Sequence, residues 1–458
     1  MAGCSFVQVI QNEMPFRPYF RGIIALMTVF LSVETFIHAQ TPTNFAVWKN
    51  PQNAGDVPDW ARWMLDRDFR NVTGTVREER LAQTLAALKD IASDNDSVPS
   101  TRYNAILAAG QLVSVARSPG NPPVAYADAL PYLIETYQNP DFPHYLKYGA
   151  LLGIVRHANI GIAPSQQDTV IDLFLETVAT ELDPVEPALD SIPLEPETWD
   201  WFRLTALDGL TALKTVGPTG KVVAKLLSVI NRQSQELENL TDIPNLLTSE
   251  VWARFRRSSE LGSKVAKTLG DLNYAEATEI DAKKMTDAFV RWTRAVSGIG
   301  YKLAADFLEP AGQRGTSPNP IILLERIVIN MKISIQSVVW GVRSSFLAGR
   351  PHDDSFYVSL ESDDSSRRRL NILFAEINKL ATFLDEGDGT RRPVLVANIP
   401  REFPFGLPEL RDMLTTTSET LAEILHEERE PEVQKPDTLP DTSPPVAEAA
   451  DSDILPEN

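Results

Sequence analysis

Apolar residues recur at every third or fourth position along most of the chain, a pattern that predicts amphipathic helices. In residues 76–91, for example, Leu81, Leu85 and Leu88 share one helical face. Segments rich in proline, glycine, aspartate and asparagine separate these patterns, as expected of turns between helices. The first half is predicted to contain helices over residues 60–69, 76–91, 101–112, 125–138, 143–157, 167–182, 197–216 and 221–235.

The second half predicts longer helices and one small β element. Residues 367–386 place leucine, isoleucine and phenylalanine at three- and four-residue steps, which is typical of a helix. The apolar segment 321–347 suits a buried helix or a strand pair, and its length without turn residues favours the helix. Further predicted elements are helices over residues 247–272, 282–308 and 407–428, and a strand over 393–399 with 355–360 as its candidate partner.

Three of the predicted helices repeat one pattern of basic, small and large apolar residues. The stretches TRYNAILAAGQL, YLKYGALLGIVR and WFRLTALDGLTA align with Arg102, Lys147 and Arg203 in register, at steps of 45 and 56 residues. The same alignment matches Ala105 with Ala150 and Ala206, Ile106 with Leu151 and Leu207, and Ala108 with Gly153 and Gly209. Small residues beside large ones allow a neighbouring helix to approach closely.

Repetition at about 40–47 residues is typical of two-helix solenoid units. Over residues 75–240 the chain resembles the HEAT and armadillo-like repeat proteins. The resemblance implies a helical solenoid that binds another macromolecule, with Arg102, Lys147 and Arg203 at the contact surface on the second helix of each repeat. An irregular helical array is the alternative fold. Whichever fold holds, the alternative for these three side chains is that they are solvated or paired with acidic neighbours. Both interpretations predict a mainly all-α fold.

Residues 14–40 carry the pattern of a secretory signal peptide. Two arginines precede an apolar stretch over residues 22–33, and Ala39 offers a cleavage site. We expect residues 1–39 to be a signal peptide, with Met14 as an alternative start, and the mature protein to be exported to a bacterial periplasm or secreted. The alternative is an uncleaved leader that anchors the protein in the inner membrane by residues 22–33.

The chain is strongly acidic, with a formal net charge of −19 over 458 residues. This excess of carboxylates argues against a nucleic-acid partner, since phosphates must be neutralised by lysine and arginine. Residues 427–458 are acidic, rich in proline and poor in bulky apolar residues, which predicts a disordered tail. The predicted organisation is a lead-in over 40–58, a HEAT-like repeat domain over 59–240, a C-terminal helical domain over 241–426 and this tail.

Candidate chemistry is sparse in this sequence. Cys4 is the only cysteine and lies in the leader, so neither a disulfide nor a thiolate site is expected in the mature chain. The stretch GPTGK at residues 217–221 lacks the first glycine and the hydroxyl residue of a phosphate-binding loop and is interpreted as a turn. His352, Asp353 and Asp354 are weak candidates for a metal site, with a solvated acidic loop as the alternative. No catalytic residue and no cofactor are assigned.

The most basic stretch interleaves Arg254, Arg256 and Arg257 with aromatic residues. It is either a helix face that packs its aromatic residues inward or a docking face for an acidic partner or the acidic tail. Together these features predict an exported, non-enzymatic protein-binding or scaffolding protein of the bacterial envelope, whose partner is another protein. One alternative is an envelope small-ligand-binding protein or enzyme with a pocket between the two helical halves. The other is a membrane-tethered structural protein that keeps its leader.

Overall fold

The computed structural model describes residues 48, 67–69, 72–181, 195–243, 248–274, 280–308, 320–346, 364–386, 392–396, 399–403 and 407–426. Helices account for most of this part of the chain, which confirms the predicted mainly all-α fold. The predicted leader and the acidic tail lie outside the described residues, as does most of the lead-in.

Six helices form three consecutive helical hairpins in the first part of the chain. They are α1 (Gly74–Ser93), α2 (Pro99–Ala109), α3 (Ala129–Gln138), α4 (His144–Ile160), α5 (Pro164–Ala179) and α6 (Pro196–Leu213). Proline begins α2, α5 and α6, a position where its missing N–H leaves no helical hydrogen bond unmade. Helix α1 packs on α2, α3 on α4 and α5 on α6, while α4 also contacts both α2 and α6.

Contacts between successive second helices are the arrangement that stacked solenoid repeats produce. The three copies of the sequence pattern lie on α2, α4 and α6, so the repeated residues occupy equivalent places. A Cβ added to Gly153 would lie 2.9 Å from Leu133, and one added to Gly209 would lie 2.3 Å from Phe174. The small residue at this register position therefore lets the first helix of the same hairpin pack closely. Membership of the HEAT-like family stays a prediction.

The helical pattern does not predict the short β hairpin between α2 and α3. Its strands are β1 (Val113–Val115) and β2 (Val124–Ala125), which pair antiparallel. Helix α3 begins at Ala129 instead of at residue 125 as predicted, because the strand pair takes the preceding residues. The turn contains Gly120 at a φ of 81°, a conformation that glycine adopts without steric cost.

The contacts of the chain divide it into two compact units, and the division falls inside α7 (Lys221–Thr241). Of the described residues, the first unit comprises those up to residue 226 and residues 271–274, and the second comprises those over 227–270 and from residue 280 to 426. The three hairpins belong to the first unit. The boundary predicted between residues 240 and 241 lies near the end of α7, beyond this division, and stays a prediction.

The second unit is a bundle of long helices with one β hairpin. Its helices after α7 are α8 (Ser249–Asp271), α9 (Ala282–Leu308), α10 (Pro320–Phe346), α11 (Asp364–Glu386) and α12 (Leu407–His426), and its strands are β3 (Arg392–Val396) and β4 (Ile399–Phe403). Helix α9 packs on α10, α11 and α12, and α11 also packs on its two neighbours in the chain. The apolar segment 321–347 is thus a helix, as the sequence favours.

The β hairpin of the second unit partly matches the predicted strand over residues 393–399. Strand β3 covers the first part of that segment, and its partner β4 follows it directly. The candidate partner at residues 355–360 lies outside the described residues. None of the described helices combines the length and the apolar composition that crossing a lipid bilayer requires. The apolar leader segment 22–33 is not among them.

Replacing Gly262 by alanine is expected to destabilise the second unit by about 2 kcal/mol, within the range of about 1–3 kcal/mol for overpacking a core. Gly262 on α8 lies against Trp292 on α9, and an added Cβ would come within 2.2 Å of that ring. The ring is fully buried and rigid, so it has no room to move aside. Urea denaturation of the purified protein measures the loss.

Gly298→Ala is the matched control for this substitution. Gly298 also lies inside a helix, but among the described residues a Cβ there would come within 4 Å of the Thr241 side chain alone, at 3.6 Å. Alanine is favoured over glycine in a helix by about 1 kcal/mol, so Gly298→Ala should increase the stability. Equal losses in the two variants would contradict the close packing of Trp292 on Gly262.

Candidate functional site

Two of the three register-equivalent basic residues are buried in the hairpins. Arg102 Nε donates a hydrogen bond to the carbonyl of Ala92 at 2.8 Å, and Arg203 Nε donates to the carbonyl of Val178 at 3.0 Å. Each acceptor is the penultimate residue of the first helix in its hairpin, where carbonyls lack partners within the helix. Both arginines therefore join the end of the first helix to the second helix.

These positions argue against a partner contact through Arg102 and Arg203, which stays a prediction. Each residue is only 7% exposed, and its guanidinium group is committed to a main-chain carbonyl. Arg203 also lies 3.5 Å from the carboxylate of Asp200, one turn earlier on α6. The repeated basic residue is a structural cap in the first and third hairpins.

Lys147 departs from this arrangement in the second hairpin. It is half-buried, and among the described residues its ammonium group makes no hydrogen bond and no ion pair. A lysine carries its charge on a flexible stem and lacks the planar fork that lets arginine cap a helix end. Burial lowers the pKa of Lys147, while the charge of Asp141 acts in the opposite direction.

A cavity of about 580 Å³ opens beside Lys147, where α3, α4, α5 and α6 meet. We call it the Lys147 groove. Its lining residues are Tyr137, Gln138, His144, Lys147, Leu173, Glu176, Thr177, Thr180, Trp199 and Phe202. Leu173, Thr177 and Phe202 are buried and form its floor, whereas Gln138, His144, Glu176 and Thr180 are exposed at its rim. Tyr137, Lys147 and Trp199 lie at intermediate depth.

Aromatic rings form much of the wall of the Lys147 groove. The Phe202 ring stacks on Trp199 with a centroid distance of 5.2 Å and packs obliquely on Tyr148 at 5.1 Å and Tyr137 at 6.4 Å. Trp199 Nε1 donates a hydrogen bond to the carbonyl of Thr180 at 3.0 Å. These contacts hold the rings in place before any ligand arrives.

A second hydrogen-bond chain fixes the tyrosine. Thr177 Oγ1 donates to the carbonyl of Leu173 at 2.8 Å, so the Tyr137 hydroxyl donates to Thr177 Oγ1 at 2.6 Å. Burial raises the pKa of Tyr137 to about 12, against the effect of this hydrogen bond. Tyr137 is consequently neutral at physiological pH, and its hydroxyl proton is already engaged in the hydrogen bond to Thr177.

The charged groups of the Lys147 groove differ in depth. Lys147 is the half-buried one, while Glu176 lies at the exposed rim, where water screens its charge. Burial, followed by the charge of Lys147, lowers the pKa of His144, so this imidazole is neutral at pH 7. The groove thus combines an aromatic wall with one partly desolvated positive charge, which suits binding an anionic group beside an apolar one.

The basic stretch on α8 is partly buried in the second unit. Arg254, Arg256 and Arg257 are half-buried, and Arg254 lies 3.4 Å from the carboxylate of Glu236 on α7. Phe255 between them is fully buried. This arrangement agrees with the interpretation of a helix face that packs inward, and docking of an acidic partner there stays a prediction.

The remaining sequence candidates do not join the Lys147 groove. In the stretch GPTGK, Lys221 begins α7 and lies 2.8 Å from the carboxylate of Asp172, so the segment is a turn whose lysine is already paired. The weak metal candidates His352, Asp353 and Asp354 lie outside the described residues. No group of three or more metal-ligating side chains occurs within the part of the chain that the structure describes.

The sequence pattern identified Lys147 but not the residues around it. Tyr137, Thr177 and Trp199 come from three different helices, and none belongs to a recognisable motif. The available signal was the exchange of arginine for lysine at one of three equivalent positions. No family model, no curated protein and no solved structure matches this chain.

Proposed function

We propose that this protein is an exported, non-enzymatic binding or scaffolding protein whose stacked hairpins hold a segment of a partner protein in the Lys147 groove. One observation carries the proposal. In the first and third hairpins an arginine caps the end of the first helix, whereas the equivalent residue of the second hairpin is a lysine that makes no such hydrogen bond and lies beside an aromatic cavity. Tryptophan and tyrosine are among the residues that dominate the binding energy of protein interfaces. Helical repeat stacks commonly bind other macromolecules.

The walls of the groove support binding because they are rigid. Trp199 is held by its stack on Phe202 and its hydrogen bond to Thr180, and Tyr137 is held by Thr177. A ligand that enters such a site loses less free energy to ordering of side chains than it would at a mobile surface. This arrangement favours a role in ligand binding over a purely structural role as part of the hydrophobic core.

Binding of a small molecule is the second candidate function. A cavity of about 580 Å³ is within the size range of about 300–1,000 Å³ that small ligands occupy. The cavity lies within the first unit, whereas the sequence-based alternative places a pocket between the two halves. The proposal also includes export through the leader at residues 1–39 or, alternatively, retention of that leader as a membrane anchor. The groove provides no support for or against either.

Lys147→Arg is expected to weaken peptide binding at least tenfold without lowering the melting temperature. The guanidinium should reach the end of α3, as Arg102 and Arg203 reach the ends of α1 and α5, and fill the groove. Peptides are selected on the wild-type protein from a random displayed library, and their affinities for both proteins are measured by fluorescence anisotropy.

Lys225→Arg is the control, because Lys225 is an exposed lysine on α7 of the same unit. It should leave affinity and melting temperature unchanged. Failure to select any peptide, or selected peptides that bind Lys147→Arg as tightly as the wild type, would contradict the proposal. Small molecules that shift the melting temperature of the wild type but not of Lys147→Arg would favour the second candidate function.

A further inference from the structure

We infer that the Lys147 groove selects a linear partner segment in which an aspartate or glutamate adjoins an apolar side chain. The carboxylate pairs with the Lys147 ammonium, and the apolar side chain packs on the wall formed by Trp199 and Phe202. This inference rests on the proposed function and adds the chemistry of the segment that the groove accepts.

The charge preference follows from the burial of Lys147. An ammonium group that is partly removed from water without a partner is destabilised, and a carboxylate supplied by a ligand offsets that cost. Among the described residues no carboxylate lies within ion-pair distance of Lys147, and the influence of Asp141 is a longer-range one. Asp141 itself is exposed, so water weakens its effect. The groove therefore gains more from an acidic ligand than from a neutral one.

The other titratable groups of the groove decide where the ligand carboxylate lies. His144 is one helical turn before Lys147 and shares its face of α4, while Glu176 comes from α5. A ligand carboxylate is repelled by Glu176 and is a hydrogen-bond acceptor for the His144 imidazole. Tyr137 is neutral and already donates to Thr177. The carboxylate is accordingly directed to the α4 side of the groove.

The apolar preference follows from the geometry of the aromatic wall. Trp199 is half-buried and stacks on the buried Phe202 at an interplanar angle of 26°, with Leu173 also buried in the floor, so the Trp199 ring is the accessible part of the wall. Trp199 is already ordered, so an apolar side chain that packs on it gains contact area without an entropic penalty on the protein side. An acidic group without an apolar neighbour would leave this surface exposed to water.

Two heptapeptides that differ at one position test the inference. Acetylated and amidated Gly-Ser-Phe-Asp-Leu-Ser-Gly carries a single charge, and its counterpart has asparagine in place of aspartate. Isothermal titration calorimetry with the unlabelled peptides should show at least fivefold tighter binding of the aspartate peptide to the wild-type protein. The preference should disappear in Lys147→Met, which keeps the stem and removes the charge, and persist in Lys225→Met.

The outcomes separate this inference from the proposed function. Equal affinities of the two peptides for the wild type would overturn the carboxylate preference and leave a peptide-binding groove. Binding of library-selected neutral or basic peptides, with no binding of the aspartate peptide, would also overturn the inference alone. A preference for aspartate that survives Lys147→Met would assign the selectivity to another site and overturn it as well. Failure to select any peptide from the library would contradict the proposed function itself.

Discussion

Arg203→Met is expected to lower the free energy of unfolding by about 3 kcal/mol, because removing one side of a buried charged contact leaves the other side without its partner. The substitution retains an apolar stem of similar length but removes the donor to the Val178 carbonyl. It also removes the positive charge 3.5 Å from Asp200, whose carboxylate is largely buried. Urea denaturation followed by tryptophan fluorescence measures the difference.

Arg102→Met and Arg117→Met calibrate this result. Arg102 makes the equivalent hydrogen bond to Ala92, but among the described residues it has no ion pair like that of Arg203 with Asp200. Arg102→Met should therefore lower the free energy of unfolding by less, about 2 kcal/mol. Arg117 is exposed in the β1–β2 turn, and its replacement should change the stability by less than about 0.5 kcal/mol. A loss below about 1 kcal/mol for Arg203→Met would show that water replaces the guanidinium and that the cap is not structural.

Helical periodicity predicted most of the elements because local contacts decide where a helix forms. The pattern over residues 282–308 matches α9 at both ends, and 76–91 falls inside α1. Errors concentrate at the ends, where turn chemistry competes with periodicity. The predicted start at residue 167, for example, misses the first turn of α5, because Pro164 begins the helix while the apolar pattern starts later.

The repeat alignment predicted which residues are equivalent but not where they point. Arg102 and Arg203 make the same contact in their hairpins, which the register alone anticipates. Whether a basic residue on a second helix faces solvent or the first helix depends on how the two helices cross, and periodicity contains no information on that crossing. A buried arginine that caps a helix end therefore looks in sequence like a surface charge.

The Lys147 groove could not be predicted because its parts are brought together by packing between hairpins. Tyr137 belongs to the second hairpin, while Thr177 and Trp199 belong to the third, and a 13-residue stretch outside the described residues separates the last two. Only the exchange of arginine for lysine at position 147 is visible in the chain. Its consequence, a half-buried lysine beside an aromatic wall, requires the positions of four helices.

His157 is expected to make the protein lose stability as the pH falls from about 6.5 to 4. His157 on α4 is 2% exposed, and its Nε2 has no hydrogen-bond partner among the described residues. Burial, together with the charge of Arg156, lowers the pKa of His157 to about 4 in the folded protein. The unfolded chain has the ordinary histidine pKa of about 6.5.

The sign of the effect follows from proton binding. Between pH 6.5 and 4 the unfolded chain binds a proton at this position and the folded protein does not, so acidification favours unfolding. The free energy of unfolding should fall by up to about 1.4 kcal/mol per pH unit, or about 3 kcal/mol across the window. Above pH 6.5 both states are neutral, and His157 contributes no pH dependence.

His157→Met should remove most of this slope because it fills a similar space with a side chain that does not titrate. Urea denaturation at pH 7 and at pH 4.5 is compared for the wild type, His157→Met and His144→Gln. Carboxylates that titrate in the same range contribute equally to all three proteins, so the difference between them isolates the histidine. The lowered pKa of His144 adds a smaller share of the slope, since this side chain is exposed, so His144→Gln should keep most of it. An unchanged slope in His157→Met would mean that the imidazole reaches water in the folded state. Helix α4 would then pack less tightly on its neighbours than the close approach of Leu133 to Gly153 indicates.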